Sequence, residues 1–406
     1  MTVTTRPTAG AGAAPRGERP SAAGSEGTPF SAKRPFAVIS GGGTGGHVIP
    51  AVAIGQALVE AGHPAETIHF LGARRGMERD LVPAAGFSIT LLPGRGIVRR
   101  LSADNLGAIA GLAAAFVQAT VLLARLRPQV VVSVGGFASA AGVFAAWLWR
   151  IPVVVAEQNA VPGLVNRLAA RIARATAVSF PGTPLPRAVL TGNPVRTQML
   201  AVDRGPAARS RARAALGLPE AVRVVLVAGG SLGARRLNTA TVGLAEAWSH
   251  RRDVAFRHIV GARDWEDLPA VGERESGLVY QRIRFEDRMD LCYAAADVAV
   301  HRAGASTVAE LTAAGVPSIL VPLPGAPGDH QTANARRLAE AGAAVLVPDA
   351  ELDAGRLASE VDRLLGDPAR LQAMGVAARA LARPRAAAEV ADLAERNSRR
   401  RRRVHE

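Results

Sequence analysis

The sequence has one cysteine, few aromatic residues and no long run of strongly apolar residues. The single cysteine, Cys292, excludes an internal disulfide and a cysteine-based metal site, and a cytoplasmic protein is the simplest interpretation. Aromatic residues make up 4% of the chain and hydrophobic residues 49%, so the core must consist mainly of Ala, Val and Leu. Such a core is typical of an α/β protein with buried parallel strands.

No segment has the length and composition of a membrane-spanning helix. The most apolar stretch, Leu106 to Leu126, is rich in Ala and Gly and contains Arg125. Because a span needs about 20 strongly apolar residues, we interpret this stretch as an amphipathic or buried helix. The chain also lacks an Asp-x-Asp pair, an HExxH motif and a Cys/His cluster, which disfavours a protein-ligated metal.

Positive charge is in clear excess. The net charge is +15, from 49 Lys and Arg against 34 Asp and Glu. Arg399 to Arg403 form an uninterrupted run, and Arg95, Arg99 and Arg100 cluster around a loop. This balance favours a nucleic acid, an acidic membrane surface or a phosphorylated substrate as partner, although a GC-biased composition explains the tail almost as well. Without an RNA-binding signature or an aromatic platform, a nucleic-acid-binding module is disfavoured.

The length of 406 residues predicts two domains. Residues 1–34 lack an apolar h-region, so we expect a disordered N-terminal arm and no signal peptide. The other expected segments are a first Rossmann-like domain at 35–196, a linker at 197–219, a second Rossmann-like domain at 220–375, a helix returning towards the first domain at 376–398, and a basic tail at 399–406.

A glycine-rich turn follows the first predicted strand, Phe36 to Ser40. It reads Gly-Gly-Gly-Thr-Gly-Gly-His from Gly41 to His47 and matches G-x-G-x-x-G, a pattern that lets a ligand approach the backbone closely. An NAD site would also need a carboxylate after the second strand, but that strand ends in Gly72-Ala-Arg-Arg75. An NADP site, with Arg74 or Arg75 at the 2′-phosphate, stays open.

Polar residues near the carboxyl ends of two predicted strands are candidate site residues. His47 ends the glycine turn, where it is well placed to take a proton, although a lone His is more often a packing or capping residue. Glu157 and Asn159 follow the strand Ile151 to Val155, at the edge where open α/β sheets bind ligands. The alternative for Glu157 and Asn159 is a turn and a helix N-cap.

The second half repeats this arrangement. A strand, Arg223 to Ala228, leads into the glycine turn Gly229 to Arg235, which contains Ser231. Further on, a strand, a small-residue turn and a helix from about Thr307 aim backbone N–H groups and a helix dipole at one point, which suits a diphosphate. Glu310, one turn into that helix, can accept hydrogen bonds from ribose hydroxyls. An ordinary βαβ unit with a solvated Glu is the alternative.

Seven blocks in order resemble a known family. They are GGGTGGHVIPAVAI from Gly41, SVGGFAS from Ser133, AEQNAVPGLVNR from Ala156, TGNPVR from Thr191, AGGSLGAR from Ala228, HRAGASTVAE from His301 and DHQTANA from Asp329. The sequence thereby resembles, from about Pro35 to Arg396, the MurG family of bacterial enzymes that convert lipid I to lipid II in peptidoglycan synthesis. Ordered blocks over most of the chain are far more specific than one glycine turn.

The resemblance implies a fold and an activity. The implied fold is GT-B, in which two Rossmann-like parallel-sheet domains face each other across a cleft. The implied reaction moves N-acetylglucosamine from UDP-GlcNAc to the muramoyl 4-hydroxyl of undecaprenyl-diphospho-N-acetylmuramoyl-pentapeptide, by one inverting displacement and with no cofactor or metal. His47 is then the first candidate for the base and Glu157 the second.

The resemblance also implies donor-site residues. UDP-GlcNAc would be bound by Thr44, Gly45, Gly46, Asn159, Arg196, Ser231, Glu286, Ala305, Ser306, Thr307, Glu310 and Gln331. Glu286 lies in Phe285-Glu-Asp-Arg-Met289, where the family has an apolar residue at a uracil contact. If backbone atoms contact the uracil, a glutamate at this position does not affect the contact. If the side chain contacts the uracil, the assignment of this residue is in doubt.

A lipid-linked acceptor implies an enzyme at the cytoplasmic face of the bacterial cell membrane. We expect peripheral docking on anionic lipid through Ile97, Val98 and Leu101 beside Arg95, Arg99 and Arg100, near an apolar helix at Leu112 to Leu123. Packing of that helix on the sheet is the alternative. Other cell-wall synthesis proteins are candidate partners. The rival functions are a UDP-GlcNAc 2-epimerase or other UDP-sugar enzyme, and an NADP oxidoreductase.

Overall fold

The computed structural model describes residues 34–93, 104–230, 233–268 and 277–399, without the side chains of 104–110. The predicted N-terminal arm up to residue 33 and the tail beyond Arg399 lie outside the described residues. So do Ser231 and the predicted docking residues Arg95, Ile97, Val98, Arg99, Arg100 and Leu101.

The first half of the chain forms a parallel sheet with the strand order β3-β2-β1-β4-β5-β6-β7. Its strands are β1 (Ala37–Gly41), β2 (Ile68–Ala73), β3 (Ser88–Leu92), β4 (Val130–Gly135), β5 (Val153–Glu157), β6 (Ala175–Val178) and β7 (Ala188–Leu190). The helices between them are α1 (Gly45–Glu60), α2 (Glu78–Ala84), α3 (Asp104–Leu126), α4 (Phe137–Leu148) and α5 (Leu164–Ile172).

The second half forms a second parallel sheet with the order β10-β9-β8-β11-β12-β13. Its strands are β8 (Arg223–Ala228), β9 (Val254–Ile259), β10 (Val279–Ile283), β11 (Val298–His301), β12 (Ser318–Leu320) and β13 (Ala344–Leu346). The remaining helices are α6 (Thr197–Leu200), α7 (Pro206–Ala215), α8 (Arg235–Ala247), α9 (Met289–Ala295), α10 (Ala305–Ala314), α11 (His330–Glu340), α12 (Ala354–Leu365), α13 (Pro368–Ala380) and α14 (Ala386–Asn397).

The central strands are apolar on both faces because helices cover both sides of each sheet. Every residue of β4 is buried, and Val131 and Val132, which point to opposite faces, belong to two different hydrophobic clusters. In the second half, successive residues of β8 and β11 likewise belong to two different hydrophobic clusters, one on each face of the sheet. The structure therefore confirms an α/β fold with two parallel sheets.

The last helix, α14, packs on the first sheet although it follows the second sheet in the sequence. Val390, Ala391 and Ala394 of α14 lie in the same hydrophobic cluster as residues of β1, β4 and β5. At the end of α14, Glu395 Oε1 lies 2.8 Å from His63 Nε2. The two halves are thus joined by a second stretch of chain that crosses between them.

Residues 197–219, predicted as a linker, fold as α6 and α7 and are not extended. Met199, Ala212 and Leu218 are buried in the core of the second half. An Arg-rich segment with Pro and Gly reads as a linker in the sequence because its few apolar residues are spaced too widely to show a helical period.

Most predicted strands lie within one or two residues of the observed ones. β8 has the predicted bounds, β1 is displaced by one residue and β5 by two. The predictions omitted β3, β7 and β13, each of which is at or next to a sheet edge. Edge strands are short and partly exposed, so their apolar pattern is weak.

Candidate functional site

The cleft between the two sheets is bounded by the carboxyl ends of their strands. Helix α1 of the first half contacts α10 of the second. Asn334 of α11 spans the gap, since its Oδ1 accepts from Ala160 N at 2.9 Å while its Nδ2 donates to Ala303 O at 3.1 Å and to Asn159 Oδ1 at 3.2 Å. Asn334 is fully buried. This buried amide therefore holds the loop after β5 against the turn after β11.

A buried carboxylate holds the first glycine turn. Glu78, 1% exposed, accepts from Gly43 N at 2.9 Å through Oε2 and from Ala73 N at 2.7 Å through Oε1. A Cβ on Gly42 would lie 2.1 Å from that carboxylate, and one on Gly76 would lie 1.9 Å from it. Glycine at these two positions is therefore what lets Glu78 reach the backbone of the turn.

The second glycine turn packs against the first. Gly135 and Gly136 have φ values of 92° and 87°, and a Cβ on Gly136 would lie 2.5 Å from Gly42 O. Ser139 of α4 locks the arrangement, because its hydroxyl accepts from Gly135 N at 3.0 Å and also bonds to Ser40 O. The two turns form one backbone surface at the edge of the sheet.

His47 lies on this surface, partly buried in the first turn of α1. Its Nδ1 is 3.5 Å from Thr44 Oγ1, and its Nε2 would be 3.1 Å from a Cβ on Gly135. Burial lowers the pKa of His47, nearby His330 lowers that pKa further, and Glu78 opposes both effects. The imidazole is therefore neutral at pH 7 and able to accept a proton.

Glu157 is committed to the loop that follows β5. Its Oε1 accepts from Asn159 N at 2.9 Å, and its Oε2 accepts from Asn166 Nδ2 at 3.0 Å and Gly163 N at 3.1 Å. The side chain is 3% exposed. With both oxygens bonded to these donors, the carboxylate is suited to shaping the loop, and the geometry favours His47 over it as the base.

The amino terminus of α10 is open to a ligand. The helix begins at Ala305 after the N-cap Gly304, so the N–H groups of its first residues have no partner within the helix. Ser306 Oγ is buried and has no hydrogen-bond partner among the described residues. Gly315, with φ of 65°, closes the helix in the left-handed conformation that glycine favours. An oxyanion would satisfy the N–H groups and the hydroxyl together.

Glu310 and Arg196 form an ion pair beside this terminus. Arg196 donates to Glu310 Oε1 at 3.2 Å, and the Tyr293 hydroxyl donates to Oε2 at 3.2 Å. Burial raises the pKa of Glu310, while Arg196 and the Tyr293 hydroxyl oppose the rise. Arg196 Nε is buried without a partner among the described residues. Both side chains keep hydrogen-bonding capacity for a ligand.

Gln331 and Glu286 are held by the second half. Gln331 Oε1 accepts from Ala303 N at 3.1 Å and Leu323 N at 2.9 Å, which leaves its NH2 group as the remaining donor. Glu286 bonds to the Arg257 guanidinium, and although burial acts against it, this bond and others lower the pKa of Glu286. Because the Glu286 side chain is bonded to Arg257, only the backbone of Glu286 is available to contact a nucleobase.

The structure brings together most of the predicted site residues. Those on the first half are Thr44, Gly45, Gly46, His47, Glu157 and Asn159, and those on the second are Arg196, Ala305, Ser306, Thr307, Glu310 and Gln331. Ser231 lies outside the described residues. Among the described residues, no group of three or more His, Cys, Asp or Glu could hold a metal ion.

Sequence reasoning missed Glu78, Asn334 and Tyr293. Glu78 is the first residue of α2, whose first turn also contains Asp80, and such an acidic first turn is usually exposed to solvent. Asn334 stood inside a recognised block without an assigned role, and Tyr293 looked like a core residue. The available signal for Glu78 was the pair of glycines, Gly72 and Gly76, that precede it.

Two sequence profiles match the two halves. The Glycosyltransferase family 28 N-terminal domain matches residues 37–178, and the Glycosyltransferase family 28 C-terminal domain matches residues 224–396. The UDP-N-acetylglucosamine–N-acetylmuramyl-(pentapeptide) pyrophosphoryl-undecaprenol N-acetylglucosamine transferase of Alkalilimnicola ehrlichii is 46% identical over 356 residues, which cover 87% of this chain and 96% of that protein. This chain belongs to the MurG family.

Solved structures agree with this assignment. The crystal structure of Acinetobacter baumannii MurG aligns with a TM-score of 0.68 and 31% identity, over 89% of this chain and 99% of that one. The two parallel-sheet domains of this MurG-family chain thus form a GT-B fold, as predicted. A crystal structure of a UDP-N-acetylglucosamine 2-epimerase shares the fold, with a TM-score of 0.57 over 88% of this chain and 94% of that one, at 14% identity.

Proposed function

We infer that this chain transfers N-acetylglucosamine from UDP-GlcNAc to the muramoyl sugar of lipid I and so makes lipid II for peptidoglycan synthesis. The donor and acceptor follow from the family, whose curated members carry both in their names. The observation that carries the proposal is the open amino terminus of α10, with buried Ser306 Oγ, on a helix that contacts the helix of His47 across the cleft.

His47 acts as the general base. Inversion at the sugar requires one group to take the proton from the attacking 4-hydroxyl as the new bond forms. A neutral imidazole does this best, and burial keeps His47 neutral by lowering its pKa. Glu78 positions the turn, and Glu157 shapes the loop beside it and is the second candidate for the base.

The charge of the departing UDP is stabilised by the second half. The first N–H groups of α10, at Ala305, Ser306 and Thr307, face the diphosphate, and Arg196 adds a positive charge. Each donor aimed at developing charge is worth about 3 kcal/mol. Two or three such donors lower the barrier as much as a bound cation would.

The remaining donor contacts follow the same geometry. Glu310 accepts from the ribose hydroxyls, Gln331 donates through its NH2 group, and Thr44, Gly45, Gly46 and Asn159 line the sugar side. Ser231 is assigned to the diphosphate from the family motif. The backbone at Glu286 contacts the uracil, because the Glu286 side chain is bonded to Arg257.

Each part of the chain has a proposed task. Residues 35–196 meet the acceptor and the membrane, and residues 220–375 bind UDP-GlcNAc. The segment 197–219 connects them, and the helix within 376–398 braces the first domain, in whose core Val390 and Ala394 lie. The arm at 1–34 and the tail beyond Arg399 have no assigned task.

An exposed apolar surface on the first half is proposed as the site that docks on the membrane. Near the end of α4, Trp147 is 55% exposed and Leu148 is 48% exposed. Trp149, at the end of that helix, donates its indole N–H to Thr120 O of α3 at 3.0 Å, next to exposed Val117 and Val121. None of the described helices is long and apolar enough to cross a membrane.

Arginines surround this surface. Arg150 and Arg174 line a cavity with Trp147 and Ile172, and Arg399 donates to Trp149 O at 2.6 Å. Apolar side chains that enter the interface, ringed by cations that meet anionic headgroups, suit a peripheral protein on the inner face of the cell membrane. Other cell-wall synthesis proteins are proposed as partners.

The direct test is an assay with UDP-GlcNAc radiolabelled in the sugar and a lipid I analogue, with and without EDTA. The proposal expects one labelled disaccharide-lipid per UDP released, at equal rates in both samples. Epimerisation or hydrolysis of UDP-GlcNAc without transfer to the acceptor would contradict the transferase proposal and indicate another UDP-sugar activity. NADPH oxidation, or transfer abolished by EDTA, would contradict the proposed chemistry.

A further inference from the structure

A second cavity lies at the opposite end of the second domain from the cleft. It has a volume of about 330 Å³ and is lined by Arg204, Arg209, Arg223, Asp297 and Arg379, among others. Arg223 is the first residue of β8 and Asp297 directly precedes β11, so the cavity lies at the amino ends of these strands. Because the proposed donor site lies at their carboxyl ends, the two sites are separated by the length of the sheet.

Asp297 cannot neutralise the arginines around it. Its carboxylate accepts from Arg209 at 2.6 Å, from Arg213 at 2.8 Å and from Val224 N at 2.7 Å, and Arg223 lies 3.5 Å away. Asp297 is 4% exposed, and it is the one carboxylate among the described residues that line the cavity. Its single charge is thus shared by three guanidinium groups.

Two further arginines of the lining have only backbone carbonyls as partners among the described residues. Arg204 donates to Tyr293 O at 2.8 Å, and Arg379 lies 3.5 Å from Val202 O. Burial, together with the positive charges of Arg209, Arg379 and Arg213, lowers the pKa of Arg204 to about 9, although Asp297 opposes the shift. Cations placed this close without counter-charges destabilise one another, and a bound anion would remove that cost.

We propose that this cavity binds a small phosphate-bearing anion, at a site separate from UDP-GlcNAc binding. Guanidinium groups bind phosphate oxygens through paired, charge-assisted hydrogen bonds, and four of them line a cavity with room for a diphosphate. Arg204 and Arg379 supply N–H groups that are free to bind the anion. Arg209 and Arg223, which are bonded to Asp297, add positive charge. This inference goes beyond the proposed transferase activity and does not rest on it.

Equilibrium dialysis with radiolabelled pyrophosphate tests the proposal, with excess UDP present to fill the cleft. The intact chain should retain about one bound pyrophosphate. Arg379→Gln and Arg204→Gln should each weaken that binding about tenfold or more, as loss of a charge-assisted contact does. Arg211→Gln is the matched control, since Arg211 is exposed on α7 and does not line the cavity. Arg379 is also exposed, so its variant should fold even if Arg204→Gln does not.

Three results would overturn the proposal. Complete displacement of pyrophosphate by UDP in the intact chain would place all anion binding in the cleft. Equal affinities in Arg379→Gln and Arg211→Gln would show that the lining arginines do not contribute. Weaker binding of Arg379→Gln to phosphatidylglycerol vesicles, with pyrophosphate binding unchanged, would assign these arginines to a lipid surface.

Discussion

Two buried carboxylates, Glu78 and Glu157, organise the backbone around His47. Each accepts hydrogen bonds from main-chain N–H groups, and neither has a basic side chain within ion-pair distance among the described residues. A carboxylate in this setting acts as a fixed acceptor that determines where a loop lies. The position of the imidazole thus depends on two carboxylates that bond to the backbone around it.

Replacing Glu78 by Gln should lower kcat about 10- to 100-fold with little change in UDP affinity. The amide turns a donor towards Gly43 N or Ala73 N, so the turn shifts and His47 loses its alignment. Because Glu78 raises the pKa of His47, the acid limb of the kcat/KM profile should also move to lower pH. Steady-state kinetics from pH 5 to 8 measure both effects. Glu66→Gln, at an exposed position, should change neither, and an unchanged kcat in Glu78→Gln would remove Glu78 from this role.

At this scale local sequence patterns indicate candidate residues but not their contacts. His47 and Glu310 could be proposed because glycine turns and helix starts mark ligand sites by spacing, whereas Thr44 was proposed from the family resemblance. The bond of Glu310 to Arg196 could not be foreseen, since these residues are 114 positions apart. Roles that depend on such long-range contacts are invisible to local patterns.

The elements that meet at the cleft are joined by few side chains. Asn334, at the start of α11, connects the loop after β5 with the turn after β11 through three hydrogen bonds. These loops carry Asn159 on one side and the approach to α10 on the other. The relative position of these two loops therefore depends in part on this amide.

Replacing Asn334 by Ala should lower kcat/KM for UDP-GlcNAc about tenfold or more and reduce stability. The loss leaves Ala160 N without a partner, at a cost of about 1–3 kcal/mol. Steady-state kinetics and thermal unfolding measure the two effects. Gln56→Ala removes an exposed amide from α1 and should change neither. Full activity in Asn334→Ala would show that the halves are held by other contacts.

The central strands were more predictable from the sequence than the edge strands. Runs such as Val130 to Val134 are apolar because they are covered on both faces, and their short length and flanking glycines favour a strand. β7, whose first two residues are exposed, lacks that signal. The helices in 197–219 were missed because their stability comes from packing on the second sheet, which local propensity does not express.

The molecule as a whole is asymmetric in its exposed apolar surface. Phe144, Trp147, Leu148 and Trp149 lie together on the first half, and the ring centroids of Phe144 and Phe116 are 5.1 Å apart. Two of the four tryptophans of the chain fall within this short segment. The docking surface expected from the sequence lies outside the described residues, whereas this one adjoins the helix α3 that was expected to flank it.

The double variant Trp147→Ser with Leu148→Ser should bind phosphatidylglycerol vesicles about tenfold more weakly. Both side chains are exposed, so the loss falls mainly on interfacial insertion and not on folding. Vesicle co-sedimentation measures the change, and transfer to a water-soluble acceptor should be retained. Val376→Ser, on exposed α13 of the second domain, is the control. Unchanged co-sedimentation of the double variant would rule out this surface as the docking site.

Acid should destabilise the fold from pH 6.5 downwards. Burial lowers the pKa of His69 and His301 to about 4 and, with Arg282, lowers that of His258 to about 3, from an ordinary 6.5. Below pH 6.5 these histidines are protonated in the unfolded chain but stay neutral in the folded chain. The free energy of unfolding therefore falls as the pH falls towards 4. Each histidine should cost about 2 kcal/mol at pH 5.

Urea unfolding at pH 7 and pH 5 measures this loss. His301→Asn should reduce it by about 2 kcal/mol, the contribution of one buried histidine. His250→Asn, at an exposed position, should leave the difference between the two pH values unchanged. A free energy of unfolding that is equal at both pH values would contradict the assignment of neutral buried histidines.

The most direct test of the proposed mechanism is the turnover of His47→Ala with a lipid I analogue at saturating UDP-GlcNAc. A base at this position contributes roughly 10²–10⁴-fold, so kcat should fall by that factor while UDP binding, which we assign to the second domain, is retained. In the intact chain the acid limb of kcat/KM should lie below pH 6.5, because burial lowers the pKa of His47. A His47→Ala variant that kept nearly full turnover would show that another group takes the proton.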